Sequence, residues 1–281
     1  MRFSQALLRA PPCPNLPSMT KTVLVTGAAK RVGAAIARRF GEAGWNVIIH
    51  YGRSGEEAKA LAASLPSAQT VQCDLADGDA AAAMVDTLAA QHQDWRALIN
   101  CASLFEYDGA SDLDPTTNAR AMQVNAVTPA RIAQRFLARS KAAGGRRVIQ
   151  ITDQKLENPN PDFFSYTMSK HALDATIKML AKAAPNKLDR IYGLAPGAIL
   201  ASHDQSEEET EVSHRLNPLR RKTSALEIAQ TALFLCEGPL RSGETIFVDS
   251  GQHLLNQPRD VIYLAREATR QTTDCTGKAA Q

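Results

Sequence analysis

No stretch of the sequence stays apolar for the roughly 18 residues a membrane helix needs, so no membrane span is expected. No C-x-x-C pair occurs, and the five cysteines are scattered and odd in number. That argues against a disulfide scaffold or a zinc site and suits a reducing cytosol, so a cytoplasmic protein is expected. The histidines lack metal-ligand spacing, His171 and His203 included, and no metal is expected. Neither sign of charge dominates. A formal net charge of +3 over 281 residues leaves no electrostatic footprint for nucleic acid. No Pro/Gly-rich linker interrupts the interior, and 44% hydrophobic residues supply one substantial core.

The two ends differ from the rest. Residues 1–18 hold four prolines, two arginines and no acid. The apolar stretch "ALL" is too short for a secretory segment. Residues 1–19 therefore read as a disordered leader, or as an over-called start with Met19 as the working initiator. Residues 258–281 are polar and are expected to form a fraying, flexible tail. The domain is expected at 20–257.

Within those limits short β-branched runs alternate with longer alanine-rich stretches. Strands are expected at 22–26, 46–51, 70–74, 97–101, 147–152, 191–195 and 245–249. Helical periodicity fills 32–44, 56–65, 79–92, 125–143, 165–184 and 224–237. The strands are apolar throughout, as in a sheet buried on both faces. This order predicts an α/β fold: a single-domain, Rossmann-type, doubly wound parallel sheet of about seven strands flanked by helices. Ligands of such sheets sit at the carboxyl ends of the strands. The site residues should follow each strand.

After the first strand comes "TGAAKRVG" (26–33). Gly27 and Gly33 let the backbone turn sharply and approach a pyrophosphate at a helix N-terminus. Arg31 and Val32 lie between them. The second strand ends "HYGRS", with His50, Tyr51, Arg53 and Ser54 and no carboxylate before Glu56. An acid there would hold the ribose hydroxyls of NAD. Arg53 and Ser54 instead suit the 2′-phosphate of NADP, so the cofactor is expected to be NADPH/NADP. Arg31 is a candidate second cation over the phosphates. Asp74, followed by Leu75, ends the third strand, where it can cap a turn or sit beside the adenine.

Tyr166 and Lys170, in "YTMSK", stand four apart on one helix face. A neighbouring ammonium favours the phenolate, so Lys170 is expected to lower the tyrosine pKa. With Asn100, Ala102 and Ser103 in "NCAS", Asn125 in "MQVNAVTPA", and Pro196 and Gly197 in "APG", the stretch from about Thr20 to Leu255 resembles the short-chain dehydrogenases/reductases. The resemblance implies that Lys170 binds the nicotinamide ribose and tunes Tyr166. It implies that Asn125 holds a backbone kink and a water of the proton relay, that Pro196 and Gly197 border the nicotinamide, and that the protein is a homotetramer. The cofactor set is then Gly27, Arg31, Val32, Gly33, His50, Tyr51, Arg53, Ser54, Asp74, Leu75, Asn100, Ala102, Ser103, Tyr166, Lys170, Pro196 and Gly197. The catalytic set is Asp153, Tyr166, Lys170 and Asn125.

The departures from that family say more. Its usual serine 13 residues before the tyrosine is Asp153, its middle glycine is Arg31, and Cys101 replaces an asparagine. TGAAKRVG, HYGRS, CASLF and an Asp ahead of YTMSK together resemble the pteridine reductase branch, which also resembles bacterial dihydromonapterin reductases. A pterin is reduced at C=N, so a ring nitrogen gains a proton as the carbon gains hydride. A carboxyl group beside Tyr166 can resupply that proton if its pKa is raised by enclosure. Phe105 would stack on the flat ring. Arg31, Ser103, Phe105, Asp153 and Tyr166 form the expected substrate site. The charged segment 202–221 is expected to be a substrate-side lid. Its acids Glu207–Glu209 and its Arg220 and Arg221 read as a solvated face. The leading expectation is NADPH-dependent reduction of a dihydropterin such as dihydromonapterin or dihydrobiopterin, or of dihydrofolate. Two alternatives remain: a carbonyl reductase of the 3-oxoacyl type, and a regulator that binds NADPH without turnover. No nucleic-acid or membrane partner is expected.

Overall fold

The structure, a computed structural model, describes residues 20–199 and 205–279, with side chains as far as 271. The expected leader at 1–19 lies outside the described residues. Seven parallel strands form one sheet in the order β3-β2-β1-β4-β5-β6-β7. They are β1 (Thr22–Val25), β2 (Asn46–Tyr51), β3 (Ala68–Gln72), β4 (Trp95–Asn100), β5 (Arg147–Ile151), β6 (Arg190–Pro196) and β7 (Thr245–Val248). All seven expected strands are present. β3 and β4 each begin two residues earlier than expected, because pairing with a neighbour rather than β-branching sets where a strand starts. Ala68 pairs with Val47 and Trp95 with Thr22.

Alternate residues of each strand point to opposite faces. Val23, Val25, Val47 and Ile49 pack on one side with α1 (Arg31–Glu42), α2 (Gly55–Ala63) and α8 (Ala225–Glu237). Leu24, Ile48, Leu98 and Val148 pack on the other with α3 (Gly78–Gln91), α5 (Thr128–Arg139) and α6 (Phe164–Ala183). Three further helices were not anticipated: α4 (Pro115–Met122), α7 (Glu207–Ser213) and α9 (Val261–Ala279). α4 is capped by Asp114 with proline at its first position. α7 has a Ser206–Glu209 capping box.

The stretch expected as a fraying tail from Pro258 includes α9, whose first turns dock on the domain. Its Val261, Ile262 and Ala265 are buried, at the three- and four-residue spacing of one helix face. The segment is polar in composition yet keeps enough apolar residues at that spacing to dock.

The sheet order reverses direction between β1 and β4, so their crossovers leave a crevice at the carboxyl ends. A cleft of about 570 Å³ opens there.

Candidate functional site

Thr26 joins the ends of β1 and β4: its Oγ1 accepts from the N–H groups of Cys101 (2.9 Å) and Ala102 (3.1 Å). Gly27 follows with φ +63°, and a Cβ there would lie 2.8 Å from Ala102 Cα. A Cβ on Gly33 would lie 2.4 Å from the Gly27 carbonyl oxygen. Both glycines are therefore required by close packing. Asp77, Asp114 and Ser224 cap α3, α4 and α8 with their side chains. α1 has no side-chain cap and no acid in its first turn. Among the described residues no side chain caps α1, which begins beside the cleft that Lys30, Arg31, Val32 and Gly33 line. An anion suits that position. Arg31 keeps a left-handed backbone, φ +54°, a conformation that glycine adopts without strain.

His50 sits behind this turn rather than in the cleft. Its Nδ1 accepts from the Gly27 N–H at 3.1 Å, and its Nε2 lies 3.1 Å from the Cys73 carbonyl, to which it donates. The ring is buried and its pKa is lowered to about 4 by desolvation. It is a neutral brace for the glycine turn. Tyr51 ends β2, Arg53 and Ser54 follow it, and Asp74 and Leu75 follow β3, all outside the main cleft. Arg53 is exposed, Tyr51 packs on Gly55, and Asp74 caps a turn through Ala76 N–H at 3.0 Å. Leu75 is buried in the core. Asn100 is also buried and donates to Gln150 Oε1 at 2.8 Å.

Ala102, Ser103, Phe105, Asp153, Tyr166, Lys170, Pro196 and Gly197 all line the cleft. Asp153 follows β5 and its Oδ2 accepts from the Tyr166 hydroxyl at 2.6 Å. Its Oδ1 accepts from Lys155 N–H at 2.9 Å. Desolvation raises the Asp153 pKa above the ordinary carboxylate range, against the opposing pull of these hydrogen bonds and of the Lys170 and Lys155 charges. The Tyr166 hydroxyl differs from expectation. Burial first, and then the Asp153 carboxylate, push its pKa well above the usual phenol value. Lys170 does not reverse this. Its own pKa is lowered by burial, and its ammonium donates to the Ile151 carbonyl at 2.8 Å. Tyr166 is a neutral donor here.

Asn125 is fully buried and does not line the cleft. It lies in a π-helical turn, Gln123–Val127, between α4 and α5. Its side chain accepts from Leu104 N–H (2.7 Å) and donates to Leu104 O (2.9 Å). It thereby clamps the loop that carries Ser103 and Phe105. Phe105 stacks on Phe163 with centroids 4.1 Å apart and meets Tyr166 edge-on at 4.7 Å. It keeps 41% exposure.

Several cleft residues had no sequence signal. Lys155 lies two residues beyond Asp153 and is buried. Asp260, Val261 and Ile262 arrive from the start of α9. Gln205, Ser213 and His214 come from the segment expected as a lid, of which 202–204 lie outside the described residues. α7 packs against α9 beside the cleft. Its charges are those of a solvated face, apart from Glu209, which is partly buried beside Arg266.

A family model described as Enoyl-(Acyl carrier protein) reductase matches residues 27–253. The crystal structure of FolM alternative dihydrofolate reductase 1 from Brucella canis, complexed with NADP, is 34% identical with a TM-score of 0.77, covering 85% of this chain and 96% of that one. Pteridine reductase 1 of Leishmania tarentolae is 28% identical over 276 residues, covering 82% of this chain and 96% of the relative. A 3-oxoacyl-[acyl-carrier-protein] reductase, FabG of Staphylococcus aureus, is 26% identical over 257 residues, covering 84% and 99%.

Proposed function

Since the chain belongs to the short-chain dehydrogenase/reductase family, we propose that it is an NADPH-dependent reductase whose substrate is a dihydropteridine, reduced at C=N to the tetrahydro form. The observation that carries the substrate class is the 2.6 Å hydrogen bond between Tyr166 and a carboxyl group, Asp153, rather than a hydroxyl.

The residues fit the cofactor. Among the described residues α1 begins without a side-chain cap beside the cleft, and Lys30, Arg31, Val32 and Gly33 line the cleft there. Thr152 Oγ1, buried on the cleft wall, has no hydrogen-bond partner among the described residues. Gly27, Arg31, Val32 and Gly33 would hold the pyrophosphate, Arg53 and Ser54 the 2′-phosphate, and Lys170 the nicotinamide ribose. When bound, NADPH supplies the hydride that the C=N carbon receives.

The protein's part is the proton. Tyr166 Oη donates to the ring nitrogen, and Asp153 returns a proton to Oη along the 2.6 Å bond. Desolvation raises the Asp153 pKa, which favours the protonated carboxyl, the form that can return a proton to Tyr166. A serine in this place has no proton to give near neutral pH. Phe105, backed by Phe163, offers an aromatic surface to a flat ring. Arg31 can donate to the electron-rich pterin edge as well as to a phosphate.

The second reading, carbonyl reduction of a 3-oxoacyl thioester, is favoured by the comparable similarity to FabG. A parallel assay of NADPH oxidation separates the two. Dihydromonapterin, dihydrobiopterin, dihydrofolate and an acetoacetyl thioester would be compared. Turnover of a pteridine is expected. Turnover of the thioester alone would remove the pteridine reading, and tight NADPH binding without any turnover would favour a regulator.

A further inference from the structure

The expected tail is instead fastened into the site. Arg259, just before α9, donates to Asp162 through both Nε (2.8 Å to Oδ2) and Nη2 (2.9 Å to Oδ1). Asp162 is 4% exposed and also accepts from the Asp260 N–H at 2.8 Å. Lys155, 5% exposed, makes the second tie. Its ammonium donates to the Asp162 carbonyl (2.6 Å) and to Asp260 Oδ2 (3.2 Å), while its own N–H holds Asp153 Oδ1. The turn carrying the acid, the residue before Phe163, and the start of α9 are thus bound together. The apolar consequence is a cluster in which Ile262 packs with Phe163 and Tyr166.

We propose that the Arg259–Asp162 pair and the Lys155–Asp260 contact form a latch that seats the first turn of α9 as a wall over Tyr166 and Asp153. Arg259 is then a positioning residue for proton delivery, acting through α9 without touching substrate. The proposal rests on the proton relay described above. Arg259 keeps 40% of its side chain exposed, so solvent screens the pair and its net contribution to stability is small. Its value here is geometric: it excludes water from a carboxyl group whose use depends on staying partly protonated.

The charged and titratable groups around the Tyr166–Asp153 pair are Lys155 on its own turn, Lys170 from α6, Asp260 from the start of α9, and Cys101 from the end of β4. Releasing α9 lets water reach Asp153 and frees Lys155 from Asp260. Both changes favour the carboxylate, so the basic limb of kcat moves down in pH.

The test is Arg259→Ala, with Arg259→Lys as the conservative variant. The double variant Asp162→Asn/Arg259→Ala removes the stranded buried carboxylate should the single one fold poorly. The expected result is a basic limb about one pH unit lower in Arg259→Ala, an intermediate shift in Arg259→Lys, and an NADPH Kd within about twofold of wild type. Hydrogen–deuterium exchange should rise in 153–165 and 259–265 and stay unchanged in β1 and β4. A limb that stays in place while only thermal stability falls would overturn the latch, as would unchanged exchange in those two segments. If the wild type reduces only the thioester, the pteridine reading fails. The limb measured on the thioester then still decides the latch, because Tyr166 delivers the proton there too. If neither substrate turns over, the exchange measurement decides it.

Discussion

Replacing Arg31 by glycine and by alanine separates what its backbone does from what its side chain does. Arg31 has φ +54°. A left-handed backbone costs a side-chain-bearing residue about 1–2 kcal/mol, and glycine avoids that cost. Glycine gives back about 0.5–1 kcal/mol through the entropy of the unfolded chain. Both variants lose the same guanidinium, so their difference isolates the strain. Arg31→Gly should therefore be more stable than Arg31→Ala by about 1 kcal/mol, or roughly 2–4 °C in Tm for a chain of this size. Both should lose a charge-assisted hydrogen bond in the cleft. Such a bond contributes about 1.5–3 kcal/mol, so kcat/KM for the pteridine should fall roughly 10- to 100-fold in each. Thermal denaturation of the ligand-free protein and steady-state kinetics read the two effects separately. An alanine variant as stable as the glycine variant would refute the strain argument. Full pteridine turnover by either would refute the role given to the side chain.

Asp153→Ser should lower pteridine reduction at least tenfold while leaving NADPH affinity nearly unchanged, since it removes the proton donor and not a cofactor contact; equal loss in both would contradict proton supply. Arg53→Asp should weaken NADPH more than NADH, because it places a carboxylate where a 2′-phosphate is expected; an unchanged NADPH/NADH ratio of Kd values would remove that assignment. His50 makes stability depend on pH. Its pKa is 6.5 unfolded and about 4 folded, so between these values the unfolded chain binds more protons and stability falls as pH falls. The expected loss between pH 7.5 and 5 is about 2 kcal/mol in urea unfolding. A His50→Gln variant should show a shallower slope over that window, and identical slopes would exclude His50 as the cause.

Local pattern made most of the fold legible. The seven β-branched runs became the seven strands, because apolar strands buried on both faces have a distinctive composition. The helices that escaped notice were short or polar. α4 and α7 are held by their caps, and α9 by docking, and none of these shows as a long apolar period. The cleft residues that follow strands, such as Gly27, Asp153 and Gly197, were legible because topology fixes that position. Asp260 and Ile262 were not, because nothing in a polar carboxyl-terminal stretch announces what it will cover, and Lys155 was not, because its partner Asp260 is 105 residues away.

The sequence alone determined the chemistry on offer: which residue types follow which strand, a carboxyl group where a hydroxyl is usual, and an arginine where glycine is usual. Tertiary structure decided the state of those groups. Lys170 is four residues from Tyr166 in the chain, which suggested an easily ionised phenol. Burial and the Asp153 carboxylate outweigh that ammonium and keep Tyr166 neutral. His50 looked like a cofactor contact until its two ring nitrogens were found bonded to Gly27 and Cys73. Sequence spacing sets which groups can meet. Desolvation and long-range partners, which no local pattern encodes, set their protonation and whether they face the ligand or the core.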